Sequence, residues 1–187
     1  MKKLIALLTA TLLIPAAATA ADGVLTFNTD DGLADGPFVF DIDGTTKLDN
    51  SFVGQIWAGA DANNLAAVGP VAQFGLFQGN PLAGANGIIF NGSSVTVSGV
   101  TAGGSGVYRL YAWEGGTSST FAAATKRGIS GAVTATFGGD TGSGVIPGPN
   151  VDQFASFSLA LVPEPTTVTL GLLGLGGLIA SRRRKTA

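Results

Sequence analysis

The chain has 187 residues, 45% of them hydrophobic and only 12% charged, with 29 glycines, no cysteine and no histidine. This composition is far from the low-hydrophobicity, high-charge signature of disorder, and the length suits one domain plus processing segments. Without thiols or imidazoles, the sequence excludes disulfides, thiolate metal sites, Ser/His/Asp or Cys/His nucleophiles and histidine general bases.

The N-terminus reads as an export signal. Lys2 and Lys3 form a positive start, residues 4–14 an apolar run broken by Pro15, and Ala18 and Ala20 supply the small residues that signal peptidase reads. Residues 1–20 are therefore expected to be a signal peptide that engages the Sec translocon and is cut after Ala20, with cleavage after Ala21 as the alternative.

The formal net charge of -2 hides an asymmetry, because six of the ten Lys and Arg residues lie at the two ends. Residues 22–162 hold four basic against eleven acidic side chains, a net of -7, so the middle offers no basic patch and no nucleic-acid partner is expected.

Within 21–161 the apolar residues fall in short runs broken by Gly, Pro, Asn and Asp, an all-β rhythm. Strands are predicted over 24–28, 38–42, 52–58, 73–77, 87–90, 94–98, 107–113, 132–137 and 154–161, which suits a single jelly-roll-like β-sandwich. In the run 107–113, period-two alternation sets Val107, Arg109, Tyr111 and Trp113 on one face of a central strand. One short helix is predicted over 120–126, capped by Ser118 or Ser119 and stopped at Gly128. The Gly-rich stretches 101–106 and 137–149 read as long surface loops.

Few residues invite chemistry. Asp41 and Asp43 beside Gly44 are weak calcium candidates within a cluster of six early aspartates, but Thr45 stands where an EF-hand places its third ligand and no Glu closes a twelve-residue loop. Aspartates that shape turns are the competing reading, and no metal or cofactor is expected. Glu114 follows a strand holding Tyr108, Tyr111 and Trp113, which admits a carbohydrate-binding face alongside the plainer reading of core aromatics with a charge at the strand end.

The C-terminus has three elements in order. Pro163, Glu164 and Pro165 form an extended segment, because neither proline can join a helix interior or a sheet ladder. Residues 166–181 follow as an apolar span carrying Val168, Leu170, Leu172, Leu173, Leu175, Leu178 and Ile179. As a helix this span rises about 24 Å, less than the ~30 Å hydrocarbon core, and its glycines weaken it further, which suits a transient membrane passenger. Arg182, Arg183, Arg184 and Lys185 then fix the terminus on the cytoplasmic side and leave the middle outside.

This order of Pro-Glu-Pro motif, short span and basic end over 162–187 resembles the PEP-CTERM sorting signal of Gram-negative bacteria. The resemblance implies recognition by an exosortase, a membrane-embedded cysteine protease/transpeptidase, with processing near the motif and release or attachment at the cell surface or in the extracellular matrix. It also implies an association with exopolysaccharide and biofilm. The middle is similar to β-sandwich passengers found with such tails, on Gln55-Ile56-Trp57-Ala58-Gly59 and Tyr108-Arg109-Leu110-Tyr111-Ala112-Trp113-Glu114. The expectation is a non-enzymatic surface protein, with a carbohydrate-binding module or a carboxylate-only secreted hydrolase as alternatives.

Overall fold

The computed structural model describes residues 21–30, 36–77 and 79–163. The expected signal peptide, Glu164, Pro165, the apolar span and the basic end lie outside the described residues.

Within them the chain is all-β, in several sheets and with no helix. Its strands are β1 (Asp22–Asn28), β2 (Val39–Phe40), β3 (Phe52–Gly59), β4 (Ala66–Gln73), β5 (Leu76–Phe77), β6 (Asn80–Pro81) and β7 (Phe90–Thr101). There follow β8 (Ser105–Glu114), β9 (Lys126–Ile129), β10 (Val133–Thr136), β11 (Gly139–Asp140), β12 (Val145–Ile146), β13 (Phe157–Ser158) and β14 (Ala160–Leu161).

One sheet runs β1-β7-β5-β6 and a larger one runs β14-β9-β8-β3-β4, with β10 also pairing β8. Two small pairs, β11 with β12 and β13 with β2, complete the described body. Alternation along the long strands explains how the two main sheets share a core. Leu25 and Phe27 of β1 and Val95 and Val97 of β7 point inward, against Ile56 and Ala58 of β3 and Tyr108, Leu110 and Ala112 of β8. Phe74, Phe137, Val151 and Phe154 from the connections join the same cluster. Each large apolar side chain so buried contributes roughly 1.5–3 kcal/mol before the entropy of ordering is subtracted.

Where the ladders stop, side-chain oxygens take over. The Ile89 N–H donates to Thr29 Oγ1 at 2.8 Å, and the Leu110 N–H donates to Ser130 Oγ at 2.9 Å. All four residues are buried, so each hydroxyl satisfies a donor that water cannot reach.

Several expectations are corrected. No helix forms over 120–126: Ala123 closes a turn onto the Thr120 carbonyl, and from Lys126 the chain enters β9, pairing both β8 and β14. Tertiary pairing overrides the local helix preference of the alanines. The strand expected over 73–77 is broken at Phe74-Gly75, and most of it belongs instead to β4 before the break and β5 after it. Strand β4 was not foreseen, because Gly69 and Pro70 interrupt its apolar run. It is the end strand of its sheet, where proline is tolerated, and its register shifts beside these two residues. Gly69 takes φ +71° at that shift, a conformation that side chains rarely adopt.

The Gly-rich stretches are more ordered than loops, although residues 142–147 lie exposed at the surface as expected. Residues 101–105 make a compact turn from β7 into β8, closed by the Gly104 N–H on the Thr101 carbonyl. Gly138 exchanges both backbone hydrogen bonds with Val24, and a Cβ there would collide with the Gly148 nitrogen.

Candidate functional site

Three regions carry the residues singled out by the sequence. The first is the turn after β2. Asp43 Oδ1 accepts hydrogen bonds from the N–H groups of Thr45 and Thr46, and its Oδ2 accepts from the Thr46 hydroxyl. These donors hold its carboxyl down at about 2, the Thr46 hydroxyl being the largest cause. Asp41 turns elsewhere: its Oδ1 accepts from the Ile42 N–H at 2.8 Å and its Oδ2 meets Lys126 Nζ at 3.1 Å. Lys126 also lies 3.9 Å from Glu114 Oε1, and the hydrogen bond to Asp41 holds its proton above the usual lysine range. Both aspartates thus spend their oxygens on protein donors, and no group of three or more metal-ligating side chains occurs among the described residues.

The second region is the aromatic strand β8. Its two faces separate the residues that the sequence places side by side. Tyr108 is wholly buried in the core, where its hydroxyl accepts from the Gln153 N–H at 3.2 Å and burial pushes its pKa up to about 12. Tyr111 lies on the opposite face and stacks on Trp57 of β3, centroids 4.6 Å apart and planes within 18°. Phe121 meets Tyr111 edge-on at 4.8 Å and Trp113 at 5.9 Å.

The segment after β8 folds back over this face. Trp113 Nε1 donates to Ser119 Oγ at 2.9 Å, and an Arg127 terminal nitrogen donates to the Phe121 and Ala122 carbonyls, both at 2.9 Å. Trp113 is therefore buried although it shares a face with Tyr111. Glu114 stands apart, near Lys126 and Thr125, and belongs to no aromatic platform. The grouping of Trp57 with Arg109 and Tyr111 was missed by sequence reasoning: Trp57 pairs directly opposite Arg109 across the β3–β8 register.

The third region is the end of the body. Strand β14 pairs β9 through Ala160 with Arg127 and Leu161 with Lys126, and the Val162 N–H donates to the Thr125 carbonyl at 2.7 Å. Pro163 follows at once, exposed and without an N–H to extend the ladder. The Pro-Glu-Pro segment thus begins where the sheet hydrogen bonding stops.

The described body is strand-rich, and its last strand leads straight into Pro163, the first residue of the Pro-Glu-Pro segment. Residues 161–185 match the family model described as the PEP-CTERM protein-sorting motif, so the chain carries that motif, beginning within β14. The motif implies export, a membrane-associated sorting signal and processing by an exosortase. No curated protein and no solved structure matches the chain.

Proposed function

We propose that this is a non-enzymatic surface or extracellular-matrix protein of a Gram-negative bacterium, delivered by its PEP-CTERM tail. The precursor leaves through the Sec translocon, loses residues 1–20 to signal peptidase, and is held in the inner membrane by 166–181 with Arg182, Arg183, Arg184 and Lys185 inside. An exosortase then acts at Pro163, Glu164 and Pro165 and frees a jelly-roll-like β-sandwich, residues 21–161, to associate with exopolysaccharide and biofilm. The observation that carries this reading is the sorting-motif match at 161–185, starting in the last strand of the folded body. Replacing Pro163, Glu164 and Pro165 together by alanine is expected to leave a longer, membrane-bound precursor in the native host. A product of unchanged size and location counts against the proposal.

A second reading, a carbohydrate-binding module, is favoured by the Trp57–Tyr111 stack. The third, a carboxylate-only hydrolase, has less support, because Asp41 and Glu114 both converge on the Lys126 ammonium and not on an open site.

A further inference from the structure

We infer that the outer face of the larger sheet, centred on Trp57, Arg109 and Tyr111, binds an acidic polysaccharide through its uronate carboxylates and pyranose rings. The inference deepens the carbohydrate-binding reading and rests on the domain working outside the cell.

Among the described residues Lys47 sits over the Phe38 ring, Lys126 is ion-paired with Asp41, and Arg127 bonds two carbonyls and lies over Phe121. Arg109 has no such partner among the described residues: its side chain makes no ion pair there, and its Nε is buried without an acceptor. In a stretch where eleven acidic side chains face four basic ones, a guanidinium left without a carboxylate is unexpected. Directly opposite, Trp57 Nε1 is likewise buried and without an acceptor. Two N–H donors therefore lie on paired residues with no acceptor for either, an arrangement that costs stability unless something supplies the oxygen.

The missing chemistry is an anionic oxygen. A guanidinium receives a carboxylate through two parallel hydrogen bonds, and its rotatable stem lets Nε and the fork swing outward to meet one. The surroundings point to a sugar. Trp57 and Tyr111 are each half-buried, so part of their apolar ring surface is open to sugar C–H groups, and Gln55 on the same face, whose amide nitrogen donates to the Gly69 carbonyl at 3.1 Å, offers its amide oxygen to hydroxyls. No acidic side chain stands on this face of β3 or β8 to repel the polymer: Gln55 and Trp57 alternate on one strand, Val107, Arg109, Tyr111 and Trp113 on the other. A concave region elsewhere, lined by Asn28, Phe77, Phe90, Asn91 and Gly92 and about 290 Å³ in volume, has no cation in its lining and serves as the internal control.

The test uses the full chain purified in detergent, with polygalacturonate, neutral dextran and poly-glutamate immobilised for biolayer interferometry. The expected result is binding to polygalacturonate at least tenfold tighter than to dextran or poly-glutamate, weakened by salt. Arg109→Gln should lower it at least tenfold, while Phe77→Ser leaves it unchanged. Arg109→Lys, which keeps the charge but not the fork, should fall between, and circular dichroism of each variant separates lost binding from lost fold. Equal binding to poly-glutamate reduces the site to bare charge and overturns the inference. So does equal binding to dextran, binding to none of the polymers, or a loss caused by Phe77→Ser and not by Arg109→Gln. Because the assay is independent of processing, its failure leaves the sorting proposal standing, and failure of sorting leaves the assay valid.

Discussion

Thr29→Val probes one buried hydrogen bond with almost no change of shape. The Thr29 hydroxyl receives the Ile89 N–H at 2.8 Å, while the Thr29 N–H donates to the Ile89 carbonyl at 3.0 Å, so a side-chain oxygen completes a backbone exchange. Thr29 and Ile89 are 0% and 1% exposed, which leaves water no access to the N–H once the hydroxyl is gone. An orphaned buried donor costs about 1–3 kcal/mol. By contrast, Thr29→Ser keeps the oxygen and loses one methyl, about 0.8 kcal/mol. Equilibrium urea unfolding followed by tryptophan fluorescence reads the difference. With a slope of about 2 kcal/mol per molar for a domain of this size, valine should lower the midpoint by about 0.5–1.5 M and serine by less. A valine variant as stable as the wild type, with the serine variant weaker, would refute the reasoning and assign the position's value to packing alone.

Two further outcomes are expected. The Asp43 carboxyl is depressed to about 2 in the fold, so its contribution to stability is fully present above its ordinary value of 3.8 and is lost as pH falls through about 2. Thr46→Val should move its midpoint up toward 3.8 in a carboxyl-detected NMR titration, and a midpoint still near 2 contradicts the assigned cause. Trp113→Phe removes the donor to Ser119 and should speed hydrogen exchange over residues 115–125 while leaving β1 and β7 protected. Uniformly faster exchange would mean that the indole supports the whole fold and not this segment.

How far the sequence reveals the fold depends on how local the determining contacts are. Strand β8 was legible because aromatic and β-branched residues alternate along it, and the face holding Val107, Arg109, Tyr111 and Trp113 was read correctly as one face. Which face is the core was not legible, since Trp113 is buried on the outer side by a segment that returns after Glu114. Strand β4 was hidden by Gly69 and Pro70, residues that end strands in general but are accommodated at a sheet edge with a register shift. The 120–126 segment shows the reverse: its alanines favour helix locally, yet Arg127 fastens the Phe121 and Ala122 carbonyls and β9 pairs on both sides.

The site was legible only in parts. The sorting tail announces itself because its three elements are contiguous in the chain, and the family match falls on the same segment. The Trp57–Arg109 pairing depends on the register between β3 and β8, which alternation alone does not set. The aromatic content of both strands was visible, and the sequence even sets Trp57 and Arg109 in the two segments that resemble passenger domains. What it lacked was the register that brings one opposite the other.

If the folded body is delivered by processing at the tail that begins in its last strand, the size of the mature protein reports it. Intact mass of the protein recovered from its native host tests it most directly. The mature form is expected to begin at Ala21 and to end near Pro163, Glu164 or Pro165, or to carry an added group there. A mature form that retains Arg182, Arg183, Arg184 and Lys185 would contradict it and make the tail a plain membrane anchor.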